Sequence, residues 1–330
     1  MGAGSAIGLS LWLASASASA DPFRIATYAA PLSREGPGLL LKDIVSGQDK
    51  GITAIVDVIS AADPDLLLLT DFDHDAGLAA LNAFADLLAK RGTAYPFRFA
   101  RPSNAGLPTG LDMDGNGALG EARDAMGYGD FRGNGGMALL SRVPIDTDNV
   151  ADFTGLLWRD LPGAQMPQMN GQPFPSKEAM AIQRLASAGF WVVPVLPEGG
   201  PPFALLASAA TTPAFDGPED RNGLRNRDEI RFWSLYLDGA FGAAPSSFVL
   251  AAKLNADPED GDGDHPTIRA LLSDPRLQDP RPASAGGAWA ADPSHRGDPS
   301  LDTAAWPGSP QGNLRVSYVL PSADWTVTGA

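Results

Sequence analysis

The chain contains no cysteine in its 330 residues. Disulfides, thiol nucleophiles and cysteine-ligated zinc are therefore excluded. Histidine is almost as scarce. His74, His265 and His295 are the three present, and all lie in polar segments. None stands at a metal-ligand spacing from another or beside a serine, so each reads as an exposed loop histidine, and a nucleophilic triad has little support. Positive charge is also in short supply: 24 Lys and Arg stand against 39 Asp and Glu, a net charge of -15. An acidic surface repels nucleic acid and anionic membranes at long range, and no Lys/Arg run offsets it. Long apolar runs are missing beyond the N-terminus, where nothing approaches the ~20 residues of a membrane span. No glycine-rich phosphate loop, internal repeat or dividing linker is present.

What remains is a chain with 44% hydrophobic residues, enough for a large core, and with 37 Gly and 29 Pro that predict many turns. Residues 1–20 are apolar and small and end in Ala18-Ser19-Ala20 before Asp21-Pro22. They read as a signal peptide with an A-x-A cleavage site, which implies an exported, periplasmic or secreted bacterial protein; a low-complexity extension is the plainer alternative. Period-two and buried runs predict strands at 23–29, 66–69, 97–100, 137–140, 191–195, 203–207, 248–252 and 314–320, with a further short one at 325–327. Amphipathic spacing predicts helices at 52–60, 78–88, 227–237 and 266–272. Strands outnumber helices and alternate with them irregularly, which favours an α/β fold with mixed sheets.

The chemically densest stretch is Phe215 to Trp233, FDGPEDRNGLRNRDEIRFW. Lying between a buried strand and a helix, it is where a scaffold places a site, and Asp216, Asp220, Arg221 and Asn222 are its candidate cleft residues. Its five carboxylates and four arginines are nearly balanced, which also suits a self-paired wall. Asp112, Asp114 and Asn116, with glycines at 115 and 117, resemble the first half of a calcium loop. Arg123 stands where an EF-hand has its bidentate Glu, leaving Glu121 or Asp124 as substitutes and a plain Asx/Gly turn as the alternative. Glu259, Asp260, Asp262, Asp264 and His265 form a second acidic knot, read as a loop capping the next helix or as a cation site. Arg142, after the strand at 137–140, suits either an anion or a structural ion pair.

In order along the chain, RIATY, DPDLLLL-x-x-FD, GLD-x-DG, GGMALLSR-x-PI, LLWRDLPGA, FDGPEDRNG-x-RN-x-DEIRFW, LNADP-x-DGD and NLRV-x-YVLPS resemble the endonuclease/exonuclease/phosphatase superfamily, the DNase I-like fold, in an often exported bacterial branch. The likeness spans Phe23 to about Ser322. It implies one domain over residues 21–330, built as a four-layered α/β sandwich of two mixed β-sheets flanked by helices. It also implies Mg²⁺-dependent phosphoester hydrolysis, in which a cation and hydrogen-bond donors stabilise charge building on phosphoryl oxygens.

Transferred position by position, the resemblance places substitutions at the catalytic points. Ala29 stands for the Asn after the first strand, Asp71 for the metal-binding Glu, Ala209 for the His, Lys253 for the Asp of an Asp-x-Asn pair, and Ser317 for a further Asp. Asn255 is retained. The chain ends at Ala330 before the family's Asp-His segment, an expected C-terminal truncation. The reading is a phosphoesterase scaffold with impaired catalysis, a pseudoenzyme or binding module with Lys253 paired to Asp71 in the metal position. The alternative is an active enzyme with a metal site rearranged on Asp71, Asp73 and Asn255. A small phosphorylated ligand or a protein is the implied partner, with nucleic acid less favoured.

Overall fold

The computed structural model describes residues 22–306 and 308–330; the signal-peptide expectation lies outside them. In the first half, strand β1 (Ile25–Leu32) leads to helices α1 (Leu39–Ser46) and α2 (Lys50–Ala62), then to β2 (Leu66–Phe72), α3 (Ala79–Lys90), β3 (Phe97–Phe99) and β4 (Gly136–Ser141). The strands form one mixed sheet in the order β1-β2-β4-β3. The second half contributes β5 (Ala151–Asp152), a hairpin of β6 (Gln168–Met169) and β7 (Gln172–Pro173), and α4 (Lys177–Ile182). There follow β8 (Phe190–Val195), β9 (Phe203–Ala209), α5 (Arg221–Leu237), β10 (Phe248–Lys253), α6 (His265–Leu272) and α7 (Ala285–Trp289). The short pair β11 (Ala304–Ala305) and β12 (Asn313–Leu314) precedes β13 (Ser317–Pro321). The second mixed sheet runs β13-β10-β9-β8-β5.

Alternation along these strands builds three cores. Leu66, Leu68, Met137 and Leu139 face Leu205, Ala207, Val249 and Ala251 between the two sheets. Leu67, Leu69 and Leu140 turn outward against Ile52, Ile55, Leu81 and Phe84 of α2 and α3. Leu206, Leu250 and Leu320 turn outward against Ile230, Phe232, Trp233 and Ile268 of α5 and α6. The result is the four-layered α/β sandwich expected from the sequence. Because both faces of each central strand are covered, those strands read as continuous apolar runs.

Several local expectations change. Helix α1 is additional, Leu314–Leu320 is two strands broken at Arg315 and Val316, and residues 325–327 form no strand. Helix α5 begins at Arg221, ahead of the expected start at Arg227, so residues 221–226 are helical, not loop. Its polar side chains point inward. Arg225, Asn226, Asp228 and Glu229 are each at most 3% exposed.

They are buried because they serve the backbone of neighbouring loops. Arg225 Nε donates to the Leu185 carbonyl at 2.8 Å, and Nη2 donates to the carbonyls of Met126, Arg184 and Ala186 at 2.9–3.0 Å. Glu229 accepts from the N–H groups of Ser187 and Thr211 at 2.6 and 2.7 Å. Asn226 Nδ2 donates to the carbonyls of Thr211 and Leu254 at 2.8 Å, and Asp228 accepts from the Trp158 indole at 2.8 Å. Unpartnered, each of these buried groups would cost several kcal/mol; here the loop ends of the second sheet supply the partners.

Burial pushes the Glu229 carboxyl up to about 7, against the opposing pull of Arg225 and the two N–H donors. The folded state therefore keeps a proton that the unfolded chain releases near pH 4.5. The linked stability is present at low pH and is lost as pH rises toward and through about 7. Urea denaturation should show the native protein losing on the order of 1–2 kcal/mol more than Glu229→Gln between pH 5 and pH 8. Parallel pH profiles for the two proteins would refute this assignment.

Candidate active site

The candidate site lies where the inner faces of the two sheets end. Lys253 is the last residue of β10; its register partners are Ala209, the last residue of β9, and Ser317, the first of β13. Inward residues recur at every second position, so Ala209, Lys253 and Ser317 share the face already turned inward by Ala207, Ala251 and Val319. On the opposing sheet, Ala29 pairs with Thr70 at the end of β1 and β2. The sequence positions Ala29, Asp71, Ala209, Lys253 and Ser317 are thus gathered at one end of the molecule from five strands.

Asp71 reaches this face through its backbone. By strict alternation it would point to the outer layer with Leu67 and Leu69. Instead it takes a left-handed conformation, φ 63°, at a register break between Thr70 and Phe72. Asp tolerates this region better than most residues. Its carboxylate accepts a hydrogen bond from the Lys253 ammonium at 2.8 Å, with the side chains 39% and 19% exposed. This ion pair bridges the two sheets at the mouth of the cleft. Asn255, also left-handed at φ 52°, donates through Nδ2 to the Ala210 carbonyl at 2.7 Å. Below the pair, the hydroxyls of Thr27 and Thr70 are buried without a hydrogen-bond partner among the described residues.

Asp73 is not placed to serve as a metal ligand. Its Oδ1 accepts from Gly135 N–H at 2.9 Å and from Asn134 Nδ2 at 3.3 Å, and its Oδ2 accepts from Arg34 N–H at 2.8 Å. It is 5% exposed, and desolvation raises its carboxyl above the usual range. Asp73 is a clamp joining the β1–α1 loop, the end of β2 and the entry to β4. Sequence reasoning missed its partners Ser33, Arg34 and Asn134, although an Asn set among the glycines of Gly133-Asn134-Gly135-Gly136 was an available signal.

Other expected site residues go elsewhere. Arg142 lies at the far end of β2, where Leu66 pairs with Ser141, and its guanidinium is held by Asp63 and Asp65. Five residues of extended strand, roughly 17 Å, separate that end from Asp71, so Arg142 is a structural ion pair, not a cleft residue. Arg221 is also removed from the cleft set. It is 7% exposed and donates to the Gln183 side chain at 2.8 Å. Asp216 accepts from the Asn222 N–H, and Asn222 Nδ2 donates to the Ala214 carbonyl at 2.8 Å. Asp220 stands next to Asp216 and Asp264, and burial raises its carboxyl. The FDGPEDRNG segment is self-bonded and has no hydrogen bond to Asp71 or Lys253 among the described residues. None of the three histidines is fully exposed: His74, His265 and His295 are all partly buried.

Two acidic groupings resolve differently. Asp112, Asp114 and Asp124 each bring a carboxylate oxygen within 4.8 Å of the others. Asp124 takes the place left by Arg123, while Asn116 Nδ2 instead donates to Glu121 at 2.7 Å. Desolvation and its acidic neighbours raise the Asp114 carboxyl. Three converging carboxylates suit a hard cation, while Asp112 and Asp124 also accept backbone N–H groups through both oxygens, as an Asx/Gly turn does. In the second grouping, Asp264 caps α6 by accepting from Thr267 N–H at 2.8 Å, and Asp260 accepts from Arg296 and Gly297 N–H groups. That knot is a loop brace.

The donor set at the cleft does not fit a magnesium ion. Mg²⁺ requires near-octahedral oxygen coordination anchored by free carboxylates. Asp71 is held by an ammonium, Asp73 has both oxygens engaged, and Asn255 is neutral.

A family model described as "Endonuclease/Exonuclease/phosphatase family" matches residues 45–330. Among solved structures, the fold is similar to an endonuclease/exonuclease/phosphatase from Beutenbergia cavernae at 18% identity and TM-score 0.53, covering 91% of this chain and 64% of that one. The chain thus spans 64% of that relative's length. Sphingomyelinase C from Streptomyces griseocarneus matches at 16% identity and TM-score 0.47, over 92% and 85% of the two chains. A beta toxin mutant from Staphylococcus aureus with bound magnesium ions matches at 12% identity and TM-score 0.48, over 92% and 85%. No curated protein matches the chain.

The clamp assignment is measurable. Asp73→Ala should lower the unfolding free energy by about 3 kcal/mol in urea, since it strands two N–H donors and the Asn134 amide. A loss of less than about 0.5 kcal/mol, within the range of an ordinary surface substitution, would remove Asp73 from that role.

Proposed function

This chain belongs to the endonuclease/exonuclease/phosphatase family, and we propose that it is a hydrolytically impaired member whose cleft binds a phosphorylated ligand without turning it over. The observation that carries this reading is the Lys253–Asp71 ion pair at 2.8 Å. A unit positive charge ~4 Å from another costs about 4 kcal/mol at an effective dielectric of ~20, and a divalent ion doubles that. The ammonium both occupies the carboxylate and repels the cation that would replace it. Ala209 supplies no proton acceptor at the position where the sequence resemblance expects a histidine. Loss of a general base by itself typically costs about 10²–10⁴ in rate. What the cleft retains is the N–H groups of Lys253 not engaged by Asp71, the second N–H of the Asn255 amide beside the one given to Ala210, and the Ser317 hydroxyl position, donors suited to an anionic oxygen ligand.

Bis-p-nitrophenyl phosphate with Mg²⁺ or Mn²⁺ tests the reading. The native protein is expected to release nitrophenol no faster than buffer, while Lys253→Asp is expected to gain Mn²⁺ binding by calorimetry. Metal-dependent turnover by the native protein that is abolished in Asp71→Ala would instead establish an active site built on Asp71.

The cation-competent set is the loop of Asp112, Asp114 and Asp124, to which this reading assigns a structural calcium ion. The support is the convergence of three carboxylates within 4.8 Å. Calcium at 100 times its Kd should stabilise the native fold by about 2.7 kcal/mol, and Asp114→Asn should lose most of that gain. An unchanged Tm in millimolar calcium would leave the loop as an Asx/Gly turn.

A further inference from the structure

A second pocket flanks the cleft, with a volume of about 570 Å³. It opens between the β1–α1 loop and the segment before β4, and Asn134 ties its floor to the Asp73 clamp. Its lining is chemically lopsided. Glu35 and Asp130 are exposed, and their carboxylates have no hydrogen-bond or ion-pair partner among the described residues. Tyr128 is 70% exposed and Leu39 is 39% exposed, so an aromatic ring and an aliphatic wall meet solvent in the same hollow. The one basic residue of the lining, Arg34, is already neutralised by Asp43 at 2.7 Å and Asp49 at 2.9 Å. The Asn134 amide is committed as well, donating to Ser33 Oγ and accepting from Asp130 N–H.

We propose that this pocket binds an organic ammonium cation with a compact apolar body. Unpaired carboxylates supply the counter-charge, and a net charge of -15 adds a long-range attraction for cations. An exposed tyrosine face attracts a cation through the ring quadrupole while covering its methyl groups, and Leu39 covers the remainder. A metal ion would gain little from the ring and leave the apolar wall wet. An anion would meet two carboxylates and no free guanidinium. The inference rests on the lining of this pocket alone and stands whether or not the neighbouring cleft hydrolyses anything.

The test uses tetramethylammonium chloride as probe and 2,2-dimethylpropan-1-ol as its neutral counterpart of similar shape, with binding read by saturation-transfer NMR on the full protein. The cation is expected to bind with a millimolar Kd and at least five-fold more tightly than the alcohol. Affinity should fall about five-fold in Tyr128→Ala and further in the Glu35→Gln, Asp130→Asn double variant. These side chains are exposed and make no hydrogen bonds of their own among the described residues, and unchanged circular dichroism would show that the variants fold. Equal binding of cation and alcohol, cation binding unaffected by Tyr128→Ala, or no saturation transfer at 50-fold excess of probe over the expected Kd, would each overturn the proposal.

Discussion

The buried guanidinium of Arg225 is the interaction on which the cleft end of the molecule depends. Four hydrogen bonds from one side chain satisfy carbonyls of Met126, Leu185, Arg184 and Ala186. Those carbonyls belong to two segments outside the strands of either sheet. One turn further along the helix, Glu229 closes on the N–H groups of Ser187 and Thr211. An isolated ion at this depth would be very costly, and it is tolerated because four backbone carbonyl dipoles accept from it. The loop after β9, and with it the position of Ala209, is held by this helix.

A scaffold braced in this way is largely independent of what fills its cleft. Side chains of α5 hold the backbone next to Ala209 and Asn255, at Ser187, Thr211 and Leu254. Lys253 and Ala209 sit within this frame without contributing side-chain hydrogen bonds to it. The Lys253–Asp71 ion pair is partly solvated, which lowers its desolvation cost relative to a fully buried pair. It joins the two sheets at the mouth of the cleft. The Asp73 clamp supports the same region from the first sheet by fixing the segment that carries Asp71.

Legibility in the sequence followed the kind of contact involved. Leu66–Leu69, Met137–Leu140 and Phe248–Ala252 were readable as buried strands because each is a short run with one environment on both faces. The break at Arg315 and Val316 was not, since apolar and polar residues there continue the pattern of a single strand. Arg221 to Asn226 were read as loop for a related reason. Charge density ordinarily marks solvent, and only the surrounding carbonyls and N–H groups turn that stretch into the first turns of a buried helix face.

The order of motifs and the mixed α/β sandwich were legible in the sequence alone; that Lys253, Ala209, Ala29 and Ser317 stand for other residues of the family is what the resemblance implies. Pattern and residue type suffice there, because they depend on neighbours along the chain. Which side chains meet was decided only by tertiary structure. A left-handed backbone at Asp71 turns its carboxylate across the cleft to Lys253, 182 residues away. Strand length carries Arg142 to the opposite end of the sheet, and two loops converge to consume Asp73. These outcomes depend on backbone dihedrals and on partners remote in sequence, which no local pattern records.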